Sequence, residues 1–62
     1  MNNELLDQYE TLRTLVESLQ RDVVKHSQGN KSAGLRVRKG LRETKKLASD
    51  LVRSSLEVNK SP

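Results

Sequence analysis

Hydrophobic residues recur at alternating steps of four and three along the first half of the chain. The positions are Leu5, Tyr9, Leu12, Val16, Leu19 and Val23. This repeat of about 3.5 residues is typical of a coiled-coil seam. Leu15 widens the stripe on one side. The pattern predicts a helix from about residue 3 to about residue 26, with an apolar face broad enough for a bundle.

The helical pattern stops at residues 27–30, which we interpret as a turn, and then resumes. Gly29 suits the left-handed conformation that ends helices, and Asn30 or Ser32 suits the cap of a second helix. The apolar face after the turn consists of Ala33, Val37, Leu41, Thr44, Leu47, Ala48, Leu51 and, more weakly, Val58. These spacings predict a second helix over about residues 31–57, followed by a frayed tail at residues 58–62.

The fold class that follows is all-α, with a single domain over residues 1–62. A short turn between two amphipathic helices predicts an antiparallel two-helix hairpin of coiled-coil type. Gly40 lies on the apolar side, where the missing side chain lets the helices come close. A chain of 62 residues without cysteine buries little apolar surface by itself. We therefore expect the hairpins to assemble into a homodimer or a larger homo-oligomeric bundle through the apolar seam of the first helix.

Charge divides the chain into two unlike halves, although the net charge is only +4. Residues 1–28 carry three basic and five acidic side chains, whereas residues 29–62 carry nine basic and three acidic ones. On a helical projection, Lys31, Arg38, Arg42, Lys45, Lys46 and Arg53 share one side of the second helix. This side lies opposite the apolar face. The second helix can therefore pack and present a basic surface at the same time.

Three segments of the basic half also carry a family resemblance. They are Gly29-Asn30-Lys31 followed by Ala33, then Arg36-Val37-Arg38, and then the Lys45-Lys46 pair in a helical context. In these segments the chain resembles the bacterial linker-histone-like nucleoid proteins first recognised in chlamydiae, in a short form without their Lys/Ala-rich tail. The resemblance implies DNA binding and compaction of the chromosome. It places the DNA contacts on Lys31, Arg36, Arg38, Lys39, Arg42, Lys45 and Lys46, to which the projection adds Arg53.

The basic side predicts a nucleic-acid partner bound through its phosphates with little sequence preference, and the resemblance implies that this partner is duplex DNA. The single aromatic residue, Tyr9, does not interleave with the cations, which argues against stacking on bases. His26 stands alone near a helix end, so we predict no metal, no cofactor and no enzymatic activity. Without a membrane span or a signal pattern, the expected location is the bacterial cytoplasm, in association with the nucleoid.

Two other functions use the same residues. A helical bundle with a basic surface could dock an acidic protein, in which case DNA would be an incidental ligand. An amphipathic anchor on anionic lipid is a third function, disfavoured because the two apolar faces can cover each other.

Overall fold

The computed structural model of this protein describes residues 3–60, and the side chains of residues 4–58. Three helices follow one another: α1 (Asn3–Ser18), α2 (Gln20–Ser27) and α3 (Lys31–Lys60). No strand occurs among the described residues, and the all-helical class expected from the sequence is confirmed. The molecule is elongated, with extents of 51 × 15 × 11 Å.

The first arm of the molecule, made of α1 and α2, is interrupted at Leu19, where the sequence predicted one continuous helix. The Ser18 hydroxyl donates to the Leu15 carbonyl at 2.6 Å, and the Leu19 amide donates to Val16 at 3.1 Å. Serine back-bonding of this kind competes with the regular helical hydrogen bond and tightens the turn. Leu19 itself keeps a right-handed helical backbone conformation, so α1 and α2 follow each other with one residue between them.

Local chemistry defines the connection between α2 and α3. Gly29 has a φ of 99°, and the amides of Gly29 and Asn30 donate to His26 and Lys25, respectively. These bonds form the Schellman arrangement that ends helices at a left-handed glycine. Asn30 then caps α3, because its Oδ1 accepts a hydrogen bond from the Ala33 amide at 2.9 Å.

The end of α3 differs from the predicted boundary. The helix continues to Lys60, although the sequence pattern placed its end at about residue 57 and a frayed tail at residues 58–62. Val58 is half-buried, so the last described turn still has an apolar contact. The final two residues of the predicted tail lie outside the described residues.

Contacts between the first arm and α3 run in opposite order along the chain. Gly34 lies beside His26, Gly40 lies beside Leu19, and Leu51 shares a groove with Leu5. Later residues of α3 therefore meet progressively earlier residues of the first arm. The packed surface extends along most of the molecule.

The first arm faces α3 with a different set of residues from the predicted seam. Its buried and half-buried positions are Leu5, Gln8, Leu12, Leu15, Leu19 and Asp22. Tyr9, Val16 and Val23 are each about half exposed, so the structure places them outside the contact with α3. The predicted seam has the right repeat but takes every second position from the neighbouring flank, because Gln8 and Asp22 are polar whereas Tyr9 and Val23 beside them are apolar.

The matching line on α3 is regular over eight positions. Its buried and half-buried residues include Ala33, Val37, Gly40, Thr44, Leu47, Leu51, Ser54 and Val58. Leu41, predicted on the buried face, is 51% exposed, because Gly40 occupies the inward position beside it. Thr44 satisfies its hydroxyl by donating to the Gly40 carbonyl at 2.8 Å. The buried hydrophobic residues among those described are Leu19, Ala33 and Val37, so the interior is small.

The two helical glycines of α3 make room for side chains of the first arm. A Cβ built on Gly40 would overlap the Leu19 side chain, whose Cδ1 and Cγ would lie 3.1 and 3.2 Å away. A Cβ built on Gly34 would lie 2.6 Å from Cε1 of His26. The close approach expected at Gly40 therefore occurs, with a leucine side chain filling the gap.

Candidate nucleic-acid interface

The structure places all eight predicted DNA contacts on α3, and all eight are exposed. They are Lys31, Arg36, Arg38, Lys39, Arg42, Lys45, Lys46 and Arg53. The inward line of α3 contains no basic residue, since its members are apolar or small. A period of 3.6 residues per turn separates the two sets onto different faces of one helix. We call the exposed set the basic face.

Arg36 differs from the other members because it binds the first arm. Its Nε and Nη2 donate to Oδ1 of Asp22 at 3.1 and 3.0 Å. These hydrogen bonds lower the pKa of Asp22 below its ordinary value of 3.8 and raise the pKa of Arg36. Arg36 therefore contributes to the packing of the two arms, and its charge is already matched by a carboxylate.

The remaining members of the basic face are largely uncompensated. Arg53 lies 3.7 Å from Asp50, one turn earlier on α3. Six cations make no salt bridge to any side chain among the described residues: Lys31, Arg38, Lys39, Arg42, Lys45 and Lys46. They fall within 16 consecutive positions of one helix. A polyanion would relieve their mutual repulsion, which makes this segment the candidate site.

The first arm offers a contrast in the same molecule. Arg13 lies between two carboxylates, 3.3 Å from Glu10 and 3.7 Å from Glu17. Both pairs join successive turns of α1, and exposed pairs of this kind contribute little to stability. They do, however, neutralise the local charge. The first arm is therefore a poor surface for an anionic ligand.

The part of the chain that the structure describes contains neither a metal-binding cluster nor a membrane-spanning helix. Among these residues no group of three or more histidine or acidic side chains is placed to hold a metal ion. No described helix combines the length and apolar character needed to cross a membrane. His26, in the last turn of α2, is exposed and lies against the notch left by Gly34. The His26 ring lies beside Gly34 of α3.

Comparison with known families identifies the family of the chain. A family model described as histone H1-like protein Hc1 matches residues 6–61. The chain belongs to this family. The match confirms the resemblance drawn from the basic half, and it extends over both arms and the turn between them. No curated protein and no solved structure matches the chain.

Sequence reasoning missed one feature of this histone H1-like chain that affects the basic face. The Asp22–Arg36 pair joins residues 14 positions apart, on opposite arms. The seven-residue repeat could have indicated it, since Asp22 follows the inward residue Leu15 by one full repeat and is therefore itself inward. The consequence is that Arg36 is a packing residue as well as a predicted DNA contact.

Proposed function

We propose that this protein binds the phosphate backbone of duplex DNA through the basic face of α3 and acts as a histone-like protein of the bacterial nucleoid. The single observation that carries the proposal is the run of six exposed cations without an acidic partner on one helix. Membership of a histone H1-like family supports DNA as the polyanion. In this proposal the protein has no enzymatic activity, and it works in the cytoplasm.

The proposed scaffold is an antiparallel helical hairpin that associates with further copies. The opposite order of contacts along the two arms supports the hairpin. The small interior supports association, because a short chain with few buried hydrophobic residues gains stability from a partner. The first arm then serves mainly for packing, and α3 serves for both packing and DNA contact.

Phosphate contacts of this kind have a characteristic salt dependence. Each neutralised phosphate releases condensed counterions and contributes about −0.9 to the slope of log affinity against log salt. If five of the cations make contacts, the slope per bound chain is about −4 to −5. Lysine and arginine contacts to phosphates carry little sequence information. AT-rich and GC-rich duplexes of equal length should therefore bind with affinities within a few-fold of each other.

The decisive experiment removes two cations from each arm in turn. Arg38→Ala with Arg42→Ala should weaken binding to all duplex sequences and flatten the salt slope by about 2. Arg13→Ala with Arg21→Ala is the matched control, because it lowers the net charge by the same amount on the other arm. Fluorescence anisotropy of labelled random-sequence duplex, measured from low to moderate salt, provides both affinity and slope.

The outcome for the control decides where the contact surface lies. Equal losses in the two double variants would mean that net charge alone attracts DNA, and a larger loss in the control would move the contact to the first arm. Circular dichroism of each variant at the same concentration separates lost contacts from lost helix.

An acidic protein partner is the second candidate, and the same cations would bind it. Polyglutamate is a polyanion that carries carboxylates and lacks the regular charge spacing of a duplex. Vesicles of anionic lipid present a charged surface that has neither carboxylate side chains nor duplex spacing. Competition by polyglutamate at a lower charge concentration than duplex DNA would favour the protein-docking function. Co-sedimentation with the vesicles at moderate salt, without retardation of DNA, would favour a lipid surface.

A further inference from the structure

Apolar residues line one side of the molecule outside the contact between its arms. On the first arm, Tyr9, Val16 and Val23 each follow an inward leucine by four positions and are exposed. On α3, Leu41 and Ala48 also stand four positions after inward residues; Leu41 is exposed and Ala48 is half-buried. Residues at this offset flank a seam and remain accessible to a further helix.

Two grooves at one end of the molecule bring flanking residues of both arms to the same side, and the helical period continues these flanks to Val16, Val23 and Leu41. Near the ends of the arms, Leu6 and Tyr9 of α1 line one groove together with Ser55 of α3. The adjacent groove is lined by Leu12, Ala48, Leu51, Val52, Ser55 and Leu56. We call this side, with Tyr9, Val16, Val23, Leu41, Ala48 and Val52, the apolar side. The opposite flank of α3 carries Arg36, Glu43, Asp50 and Glu57, so the two sides differ sharply in polarity.

We propose that the apolar side is the docking surface for a second copy of this chain, placed so that the resulting dimer holds two DNA duplexes at once. The apolar side runs along the broad face of the molecule, whose extents of 51 × 15 Å leave room for the roughly 800 Å² of accessible surface that each partner buries in a stable interface. A second copy supplies a face of the same size and apolar character. Docking also shields side chains that the small interior of one chain leaves in water.

Charge selects the relative orientation of the two copies. Two copies that dock through the same side are related by a two-fold axis in the plane of the contact. An axis across the helices places α3 on α3 and first arm on first arm (like arms), whereas an axis along the helices places α3 on the first arm of the other copy (unlike arms). Like arms would bring together two halves that each carry a net charge of +6, whereas unlike arms pair +6 with −2. The unlike arrangement is therefore favoured, with each α3 beside the first arm of the other copy.

This orientation sets the position of the basic faces. Apart from Arg36, which pairs with Asp22, the cations of each basic face lie on the side of α3 away from the first arm of their own chain. The two α3 helices occupy diagonal corners of the four-helix arrangement. The two basic faces therefore point in opposite directions, and one dimer can bridge two separate duplexes. This consequence rests on the proposed function of the basic face, whereas the dimer itself does not.

Dimerisation is tested with a matched pair of substitutions on the first arm. Val16 lies on the apolar side and Val24 on the outer surface, and both are 48% exposed. Val16→Asp should weaken dimerisation by roughly a hundredfold or more, because docking would bury a carboxylate. Val24→Asp should leave the dimer intact. Sedimentation equilibrium at tens of micromolar distinguishes the 7.0 kDa chain from a dimer; a monomeric unmutated protein would overturn the proposal.

A labelling experiment avoids any dependence on how the aspartate variant folds. The chain has no cysteine, so Val16→Cys and Val24→Cys each introduce one reactive thiol. At high protein concentration the thiol at position 16 should react with a maleimide about tenfold more slowly than the thiol at position 24, and dilution should remove the difference. Equal rates in a dimeric sample would place the interface elsewhere and overturn the proposal.

Bridging is measured by capture of a labelled duplex on beads that carry a second duplex. Unmutated protein and Val24→Asp should capture it, and Val16→Asp should capture about tenfold less while still binding a single duplex. Failure of all three proteins to bind any duplex would refute the proposed function and leave the dimer standing. Dimers that bind one duplex without capturing a second would refute the opposed arrangement of the basic faces.

Discussion

Replacing Gly40 with alanine tests whether the two arms are held together by the fit of Leu19 into the gap on α3. The added methyl group would overlap the Leu19 side chain, which is 8% exposed and is one of the few buried hydrophobic residues described. Gly34→Ala is the matched change six residues earlier on the same helix. There the obstructing group is the ring of His26, which is exposed and can rotate into solvent.

The magnitude follows from two opposed effects. Alanine in place of a helical glycine stabilises a helix by about 1 kcal/mol, and this gain applies at both positions. Overpacking against a buried side chain costs about 1–3 kcal/mol, and this cost applies at Gly40. We therefore expect the free energy of unfolding to fall by about 0–2 kcal/mol for Gly40→Ala and to rise by up to about 1 kcal/mol for Gly34→Ala.

Thermal unfolding followed by circular dichroism measures the difference, at one fixed protein concentration because association would shift Tm. In a domain of this size, 1 kcal/mol corresponds to a Tm change of about 4–8 °C. Leu19→Ala, combined with Gly40→Ala, should show a favourable coupling of about 0.5–3 kcal/mol, since the new methyl group occupies part of the vacated space. A Gly40→Ala protein that melts above Gly34→Ala would refute the proposed fit of Leu19.

Two further predictions concern polar residues between the arms. Gln8→Leu should raise the free energy of unfolding by about 1–3 kcal/mol in urea titrations, because Oε1 of Gln8 is buried without a hydrogen-bond partner among the described residues; an unchanged or lower value would show that this amide is satisfied in solution. Asp22 has a lowered pKa in the folded protein, so the stability contributed by its pair with Arg36 is present above pH 3.8 and is lost as the pH falls through the folded value. Asp22→Asn should therefore flatten the acid limb of a Tm-against-pH curve, and an identical acid limb in the two proteins would contradict this assignment.

The turn and the second helix could be predicted because their chemistry is local. Gly29 and Asn30 act within one turn of their own positions, through a left-handed backbone and a side-chain cap. The exposure of the cations on α3 was equally accessible, since a helix of known phase separates inward and outward residues by period alone. These features need no knowledge of the other arm.

The phase of the first arm was not accessible in this way. Its inward line and its flank both carry apolar residues, so Leu5 and Leu12 fit a pattern that continues through either Gln8 or Tyr9. Hydrophobicity favours Tyr9, whereas the structure places Gln8 against α3. Packing against Gly40 and Ala33 determines which residues of the first arm face α3, because these small residues leave space for the first arm at one particular rotation about its axis.

The pairing of Arg36 with Asp22 depends on the same rotation. From the sequence, Arg36 is one cation among the eight predicted DNA contacts, and Asp22 is an acidic residue on a mostly acidic arm. Only the alignment of the two arms brings them to 3.0 Å. A prediction that treats all the cations of α3 as equivalent therefore overestimates the charge available to DNA.

The mixture of inward and flanking residues in the predicted seam has a physical meaning for the proposed assembly. The inward line, which has four leucines together with Gln8 and Asp22, packs against α3, and the adjacent line of Tyr9, Val16 and Val23 remains exposed for the proposed partner. Because the two lines are only half a turn or less apart on one arm, rotation of that arm against α3 would move both together. Substitutions that disturb the fit at Gly40 should then also alter the apolar side, and through it the spacing of the two basic faces in the proposed dimer. Folding of the single chain, association of two chains and bridging of DNA would thus all be sensitive to the packing of Leu19 against Gly40.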